Sequence, residues 1–398
     1  MSTYTALIAL SSLVIFSYLF DLLSKRIRVP SVILLLFSGI GLAQLASYFG
    51  LAELNFFQIL PALGTVGLIL IVFEGSLELK YSRKKNVLIR KAFLSALFIL
   101  LLTALTVALI MQYLTGADFQ ACVVNAIPFS IISSAIAIPS AGNIHKDKKE
   151  FVVYESSFSD ILGIIMFDFA VANSKLAFSS FVVLGSEIIT VLLISVLFSL
   201  LLLYIMGRLK HHIKFFLIIA ILILVYASSH LLHLSPLILV LVFGLFLANA
   251  GSIPFGLFQR KFIYPKFKED FIQLFQLSRE SAFLLKTFFF LIFGFGIQLE
   301  ELGSIDMLIY GSIILGVIYV IRGLYLKFVI RLELIPELFL TPRGLISILL
   351  FFSIPANLKI PGVSTALLFF IVLATSVVMT LGLVFTSHTE ALEEVIDE

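Results

Sequence analysis

The chain has 398 residues, 61% of them hydrophobic and only 13% charged, with a mean hydropathy of +1.15. Soluble domains run at about 45–50% apolar and about 25% charged, so this composition excludes a soluble protein and marks an integral membrane one. The formal net charge of +3 says little about partners, and a single cysteine, Cys122, excludes an intrachain disulfide and gives no metal-site spacing.

The N-terminal stretch MSTYTALIAL has no basic n-region, and its apolar run is long enough to stay as a first span rather than a cleaved signal. Thirteen apolar segments fit the spanning length of about 20 residues. They are 5–24, 30–49, 56–77, 91–114, 119–142, 152–174, 178–206, 213–232, 235–250, 279–299, 305–330, 335–355 and 362–387. The division between the eighth and ninth falls at His230–Pro236. This predicts an all-α polytopic protein with one transmembrane domain over 1–390 and a short acidic tail over 389–398.

The loops test the count. Every other loop is basic: Lys25, Arg26, Arg28; Lys80, Arg83, Lys84, Lys85, Arg90, Lys91; Lys146, Lys148, Lys149; Arg208, Lys210, Lys214; Arg260, Lys261, Lys266, Lys268; Lys327 and Arg331. The alternate loops hold only Lys175 and Lys359. A missing span would destroy this alternation downstream of it. The positive-inside rule then puts the N-terminus outside and the C-terminal tail in the cytoplasm, with the plasma (inner) membrane as the expected location.

The stretch from Ser133 to Asp160 carries the chemistry. Pro128, Ser133, Ser134 and Pro139 interrupt the fifth segment, a charged loop (His145 to Glu150) follows, and Glu155 and Asp160 stand inside the apolar sixth segment. A carboxylate near mid-membrane costs about 2.5–3.5 kcal/mol on insertion scales and is rarely kept without a use. A broken helix frees backbone carbonyls beside it, which is how a membrane protein makes a small-cation site. Pro342 and Gly344 interrupt the twelfth segment in the same way. The two interrupted segments are each the fifth of a six-helix unit, so the expected architecture is two inverted repeats with crossed broken helices. The repeats run about 1–175 and 213–388, joined by a linker helix at about 178–206.

Seven stretches, in order, resemble the monovalent cation:proton antiporter superfamily, the sodium/proton exchangers and their potassium-transporting relatives. They are SKRIRVPSVILLLFSGIGL, GLILIVFEGSLEL, ISSAIAI, YESSFSD (like G-E-S-x-x-N-D), FFFLIFGFGIQL, VIYVIRGLYL and TPRGLISILLFF. The resemblance implies that Asp160 binds either the cation or a proton. It implies an intramembrane ion pair of Glu155 with Arg322, and a stabilising role for Arg343 in the second broken helix. S-S-A replaces T-D-P, and Ser159 stands where the family has Asn, Asp or Gln, which leaves one aspartate and makes the chain similar to the single-aspartate type. That type implies electroneutral exchange of one Na⁺ or K⁺ for one H⁺ by alternating access, a role in pH homeostasis and a homodimer.

From the residues themselves, a hard monovalent cation wants oxygen ligands. Asp160, with the hydroxyls of Ser133, Ser134 and Ser159 and freed carbonyls, would supply them; no other metal and no cofactor is called for. Glu155 lies about 140° around the helix from Asp160 and about 7.5 Å along it, so it suits Arg322 better than the cation. Arg279 and Lys286 are expected to snorkel. Asp168 is a candidate for an outer vestibule, Asp21, Glu74 and Glu78 for solvated helix ends, and Glu187 for a headgroup or dimer contact. His145, His211 and His212 fall in loops without zinc spacing. The expected partners are monovalent cations, protons and the lipid membrane, with no nucleic acid. The alternatives are an organic-anion/sodium symporter on the same fold, or a non-transporting sensor or channel subunit. An enzyme is not expected, since an intramembrane hydrolase would need a base near its serine or paired aspartates.

Overall fold

The computed structural model describes residues 3–27, 29–48, 60–79, 81, 83–173, 178–208, 215–231, 236–253, 256–297, 299–331 and 334–397. Lys175, His211, His212 and the division after His230 lie largely or wholly outside the described residues. Among the described residues all regular structure is helical. The α-helices are α1 (Thr3–Ile27), α2 (Ser31–Tyr48), α3 (Leu60–Glu78), α4 (Asn86–Thr115), α5 (Phe119–Ser130), α6 (Ser134–Ser140), α7 (Lys146–Ala172), α8 (Phe178–Arg208), α9 (Phe215–Leu231), α10 (Pro236–Asn249), α11 (Gly256–Phe262), α12 (Phe267–Phe295), α13 (Leu299–Leu302), α14 (Ile305–Leu324), α15 (Leu345–Phe352) and α16 (Thr365–Asp397). Six are long and apolar enough to cross a membrane when α5 and α6 are taken together, and three shorter apolar helices accompany them.

Several boundaries differ from the sequence reading. The charged loop before the sixth segment is largely the first turn of α7, which starts at Lys146. Asp147 there suits the positive end of the helix dipole. α12 begins at Phe267, well before the expected 279, and α16 runs on through the acidic tail to Asp397. The twelfth segment is not a helix broken in its middle. Residues 335–344 are turns and irregular backbone, and only α15 is helical. Pro336 and Pro342 withhold two amide donors, and Pro342 steers Thr341 away from the helical region. Gly344 caps the helix in an extended conformation (φ −162°, ψ −136°).

The chain divides into two compact units. The first comprises Met1–Pro61, Val87–Gly163 and Leu284–Glu398. Here α1 packs on α2, α14 on α16 and α5 on α15. α2 crosses the end of α12 at bare backbone. A Cβ on Gly39 would lie 2.2 Å from the Leu291 carbonyl oxygen, and one on Gly294 would lie 2.3 Å from that of Leu36. Close crossings through small residues are how membrane helices gain packing without a hydrophobic drive.

The fifth segment breaks as expected in this unit. Asp118 caps α5 by accepting from the Gln120 N–H at 3.0 Å, Ile131 and Ser133 are extended, and α6 resumes at Ser134. Asn125 anchors α5 from inside, donating to Ala121 O at 2.8 Å and to Leu358 O, beyond α15, at 2.7 Å.

The second unit comprises Ala62–Asn86 and Ile164–Phe283. α10 packs on α8 and α9 around Val191, Val225, Ile238 and Leu239. Asn249 closes its loop by donating to Leu79 O at 2.9 Å and accepting from the Tyr81 N–H at 2.7 Å.

Candidate functional site

All the residues of the expected site lie in the first unit, on α7, the α5–α6 break, α14 and the segment before α15. At about 100° per residue, α7 presents Ser159 and Asp160 to the break and turns Glu155 elsewhere. The Ser159 hydroxyl accepts from the Ile132 N–H at 2.9 Å, satisfying an amide that the break leaves without a helical partner. Asp160 is 7% exposed. Its Oδ2 accepts from the Ser134 N–H at 3.1 Å and also meets the Ser134 hydroxyl. Its Oδ1 has no hydrogen-bond partner. Lys286, half-buried on α12, is the cation that acts on Asp160 electrostatically.

Ser133 is brought to the second break. Its N–H donates to Pro342 O at 2.8 Å, and a Cβ on Gly344 would lie only 2.5 Å from its hydroxyl oxygen. The two breaks therefore touch through backbone, and glycine at 344 is what that approach requires.

Arg322 and Glu155, 0% and 1% exposed, form a two-pronged ion pair at 3.1 and 2.8 Å. Ser95 on α4 adds a hydroxyl donor to Glu155 Oε1, and Arg322 Nε donates to Glu337 O at 2.9 Å. Arg343 is also fully buried, yet its guanidinium is held by carbonyl and hydroxyl oxygens and not by a carboxylate. Its guanidinium donates to Phe129 O (2.8 Å), Ser130 O (3.2 Å), Thr341 O (2.8 Å) and Thr341 Oγ1. The first two are carbonyls at the C-terminus of α5, where a helix lacks internal donors and carries partial negative charge. Arg343 stands in the second break and caps the first. Its N–H donates to Thr375 Oγ1 on α16 at 3.0 Å, which fixes the chain there.

Asp168, half-buried, and Glu74 fall in the second unit; Glu74, expected at a solvated helix end, is instead buried, and Glu187, Arg279 and His145 are exposed. Sequence reasoning missed Ser95, Asn125, Glu337, Thr341 and Thr375. Glu337, 2% exposed, had the clearest signal, as a carboxylate within an expected span whose other charged residue is Arg343.

The sequence matches the sodium/hydrogen exchanger transmembrane family over residues 10–388. The chain belongs to the sodium/hydrogen exchanger family. Among solved structures this exchanger-family chain is similar to the sodium proton antiporter MjNhaP1 from Methanocaldococcus jannaschii at pH 8. The TM-score is 0.73 at 19% identity, covering 96% of this chain and 100% of that one. An electron-microscopy structure of the same antiporter gives 0.68 at 18% identity, covering 98% and 97%. No curated protein matches the sequence. The likeness fixes the fold as that of an exchanger, and the two interrupted segments of this chain meet within it.

Proposed function

We propose that this exchanger-family protein carries a monovalent cation, Na⁺ or K⁺, across the membrane in exchange for H⁺, one for one, by alternating access. The observation that carries the reading is Asp160: a buried carboxylate with one oxygen held by Ser134 and the other open. A proton or a dehydrated alkali cation can occupy that oxygen in turn, so competition for one group produces exchange. In this reading Asp160 is the only metal ligand of full charge, and Ser134 is its nearest support. Ser159 and Ser133 keep the break in shape. Neither a cofactor nor catalytic chemistry is invoked.

The remaining buried charges support one-for-one exchange. Among the described residues, the buried charged side chains of the first unit are Glu155, Glu337, Arg322, Arg343 and Asp160. Two carboxylates and two guanidiniums cancel in number, and in this reading Asp160, with half-buried Lys286 acting on it, is the charge that the cargo neutralises. Arg322 and Arg343 spend their donors on protein acceptors, which counts against an organic-anion symporter. The reading extends to a homodimer in the plasma membrane with its N-terminus outside and a part in pH homeostasis.

The test is proton efflux from acid-loaded proteoliposomes on addition of NaCl, KCl or LiCl, for wild type and Asp160→Asn. Cation-dependent efflux lost in the variant is expected. Its rate should not respond to an imposed potential, because each uncompensated charge is worth about 2.3 kcal/mol per 100 mV. Absence of efflux with all three salts would overturn the proposal.

A further inference from the structure

α7 carries three serines within one turn of Asp160, and two of them are committed. Ser156 donates to Val152 O at 2.7 Å, and Ser159 holds the Ile132 N–H. Ser157 is different. It is 4% exposed and its hydroxyl has no hydrogen-bond partner, although a helical serine always has the carbonyl four residues back at hand.

Ser157 precedes Asp160 by three residues, which places it about 60° around the helix and about 4.5 Å along it, on a neighbouring face. Helical side chains lean toward the N-terminus, so the carboxylate of Asp160 lies over the turn that bears Ser157. Two buried oxygens without hydrogen-bond partners, Ser157 Oγ and Asp160 Oδ1, thus stand on neighbouring faces of one helix, about one turn apart. Buried polar atoms are almost always satisfied, and such a pair points to something that occupies it.

We propose that Ser157 Oγ ligates the transported alkali cation together with Asp160 Oδ1 and sets its selectivity. This rests on the reading of Asp160 as the carrier. A neutral hydroxyl suits both halves of the cycle: its lone pairs coordinate the cation, and they accept the O–H of a protonated Asp160. Its reach fixes the cavity size on which discrimination among Li⁺, Na⁺ and K⁺ depends. Ser157 also occupies a position that the G-E-S-x-x-N-D pattern leaves free.

The experiment compares Ser157→Ala and Ser157→Thr with wild type in proteoliposomes. It measures apparent KM and maximal rate with NaCl, LiCl and KCl, alongside thermal stabilisation of each purified protein by the same salts against choline chloride. Ser157→Ala should raise the apparent KM for the best cation roughly tenfold, with a maximal rate within about twofold of wild type and an altered ion order. Ser157→Thr, which keeps the hydroxyl, should keep the order. An alanine variant with wild-type KM and ion order, while Asp160→Asn abolishes exchange, overturns the assignment of Ser157 and leaves the carrier standing. So does an equal loss with all three salts that threonine does not rescue, joined to a lower melting point in choline. Wild type inert with all three salts removes the carrier and this proposal together.

Discussion

Consider replacing Arg322 by Met and Glu155 by Gln, singly and together. In Arg322→Met the carboxylate of Glu155, 1% exposed, loses two charged donors and keeps only the Ser95 hydroxyl. Leaving one member of a buried pair uncompensated costs about 3–5 kcal/mol, and Glu155→Gln, which strands the guanidinium, belongs in the same range. The double variant carries neither charge. What it loses is chiefly the bond from Arg322 Nε to Glu337 O, worth about 1–3 kcal/mol. The singles therefore sum to about 6 kcal/mol or more, the double to about 3 or less, and the coupling is at least about 3 kcal/mol. The chain has no tryptophan, but its one cysteine, Cys122, is buried in α5. A thiol-reactive fluorogenic dye followed during heating in detergent reads unfolding directly through it. The double variant should melt above at least one of the singles. A double whose melting point falls by the sum of the two single shifts would refute a coupled pair.

Arg343→Lys keeps the charge but supplies a point donor to acceptors that the guanidinium serves in a plane, leaving carbonyls of α5 unmet at about 1–3 kcal/mol each. Cys122 on the same helix should label faster below the melting transition, and unchanged labelling would refute the cap. Gly344→Ala puts a Cβ 2.5 Å from the Ser133 hydroxyl oxygen, an overpacking of about 1–3 kcal/mol. Adding Ser133→Gly removes that oxygen and should recover part of the loss in melting point. Gly39→Ala meets a backbone oxygen at 2.2 Å and should destabilise clearly, whereas Gly41→Ala, with nothing within 4 Å, should be neutral or stabilising by about 0.5–1 kcal/mol. Equal melting points for the two would refute the crossing of α2 on α12.

The buried charges were legible in the sequence because hydrocarbon makes them expensive: Asp160, Glu155, Arg322 and Arg343 stand out in apolar runs. The first break was legible through Ser133 and Ser134, whereas Pro128 and Pro139, also expected to interrupt the segment, lie inside α5 and α6. What could not be read is which acceptor each donor takes. Arg343 was expected to serve its own segment, and it reaches across to Phe129 and Ser130 because the end of α5 has carbonyls to satisfy. Of the four serines from Ser156 to Ser159 and at Ser133, hydropathy gave no way to separate those tied to backbone from Ser157. Helix starts slipped for a related reason. Lys146 and Phe267 begin helices in polar sequence, where spanning length says nothing and only local capping and dipole effects decide.

The cap that Arg343 places on α5 has one more consequence. Its acceptors are three carbonyl oxygens and one threonine hydroxyl, none of which takes up or gives off a proton near neutral pH. The fastening between the two breaks therefore keeps its strength whatever charge Asp160 carries. In the proposed cycle a loaded and an emptied site would then share the same frame, and the free energy of swapping cargo would not be spent on rebuilding the walls around it.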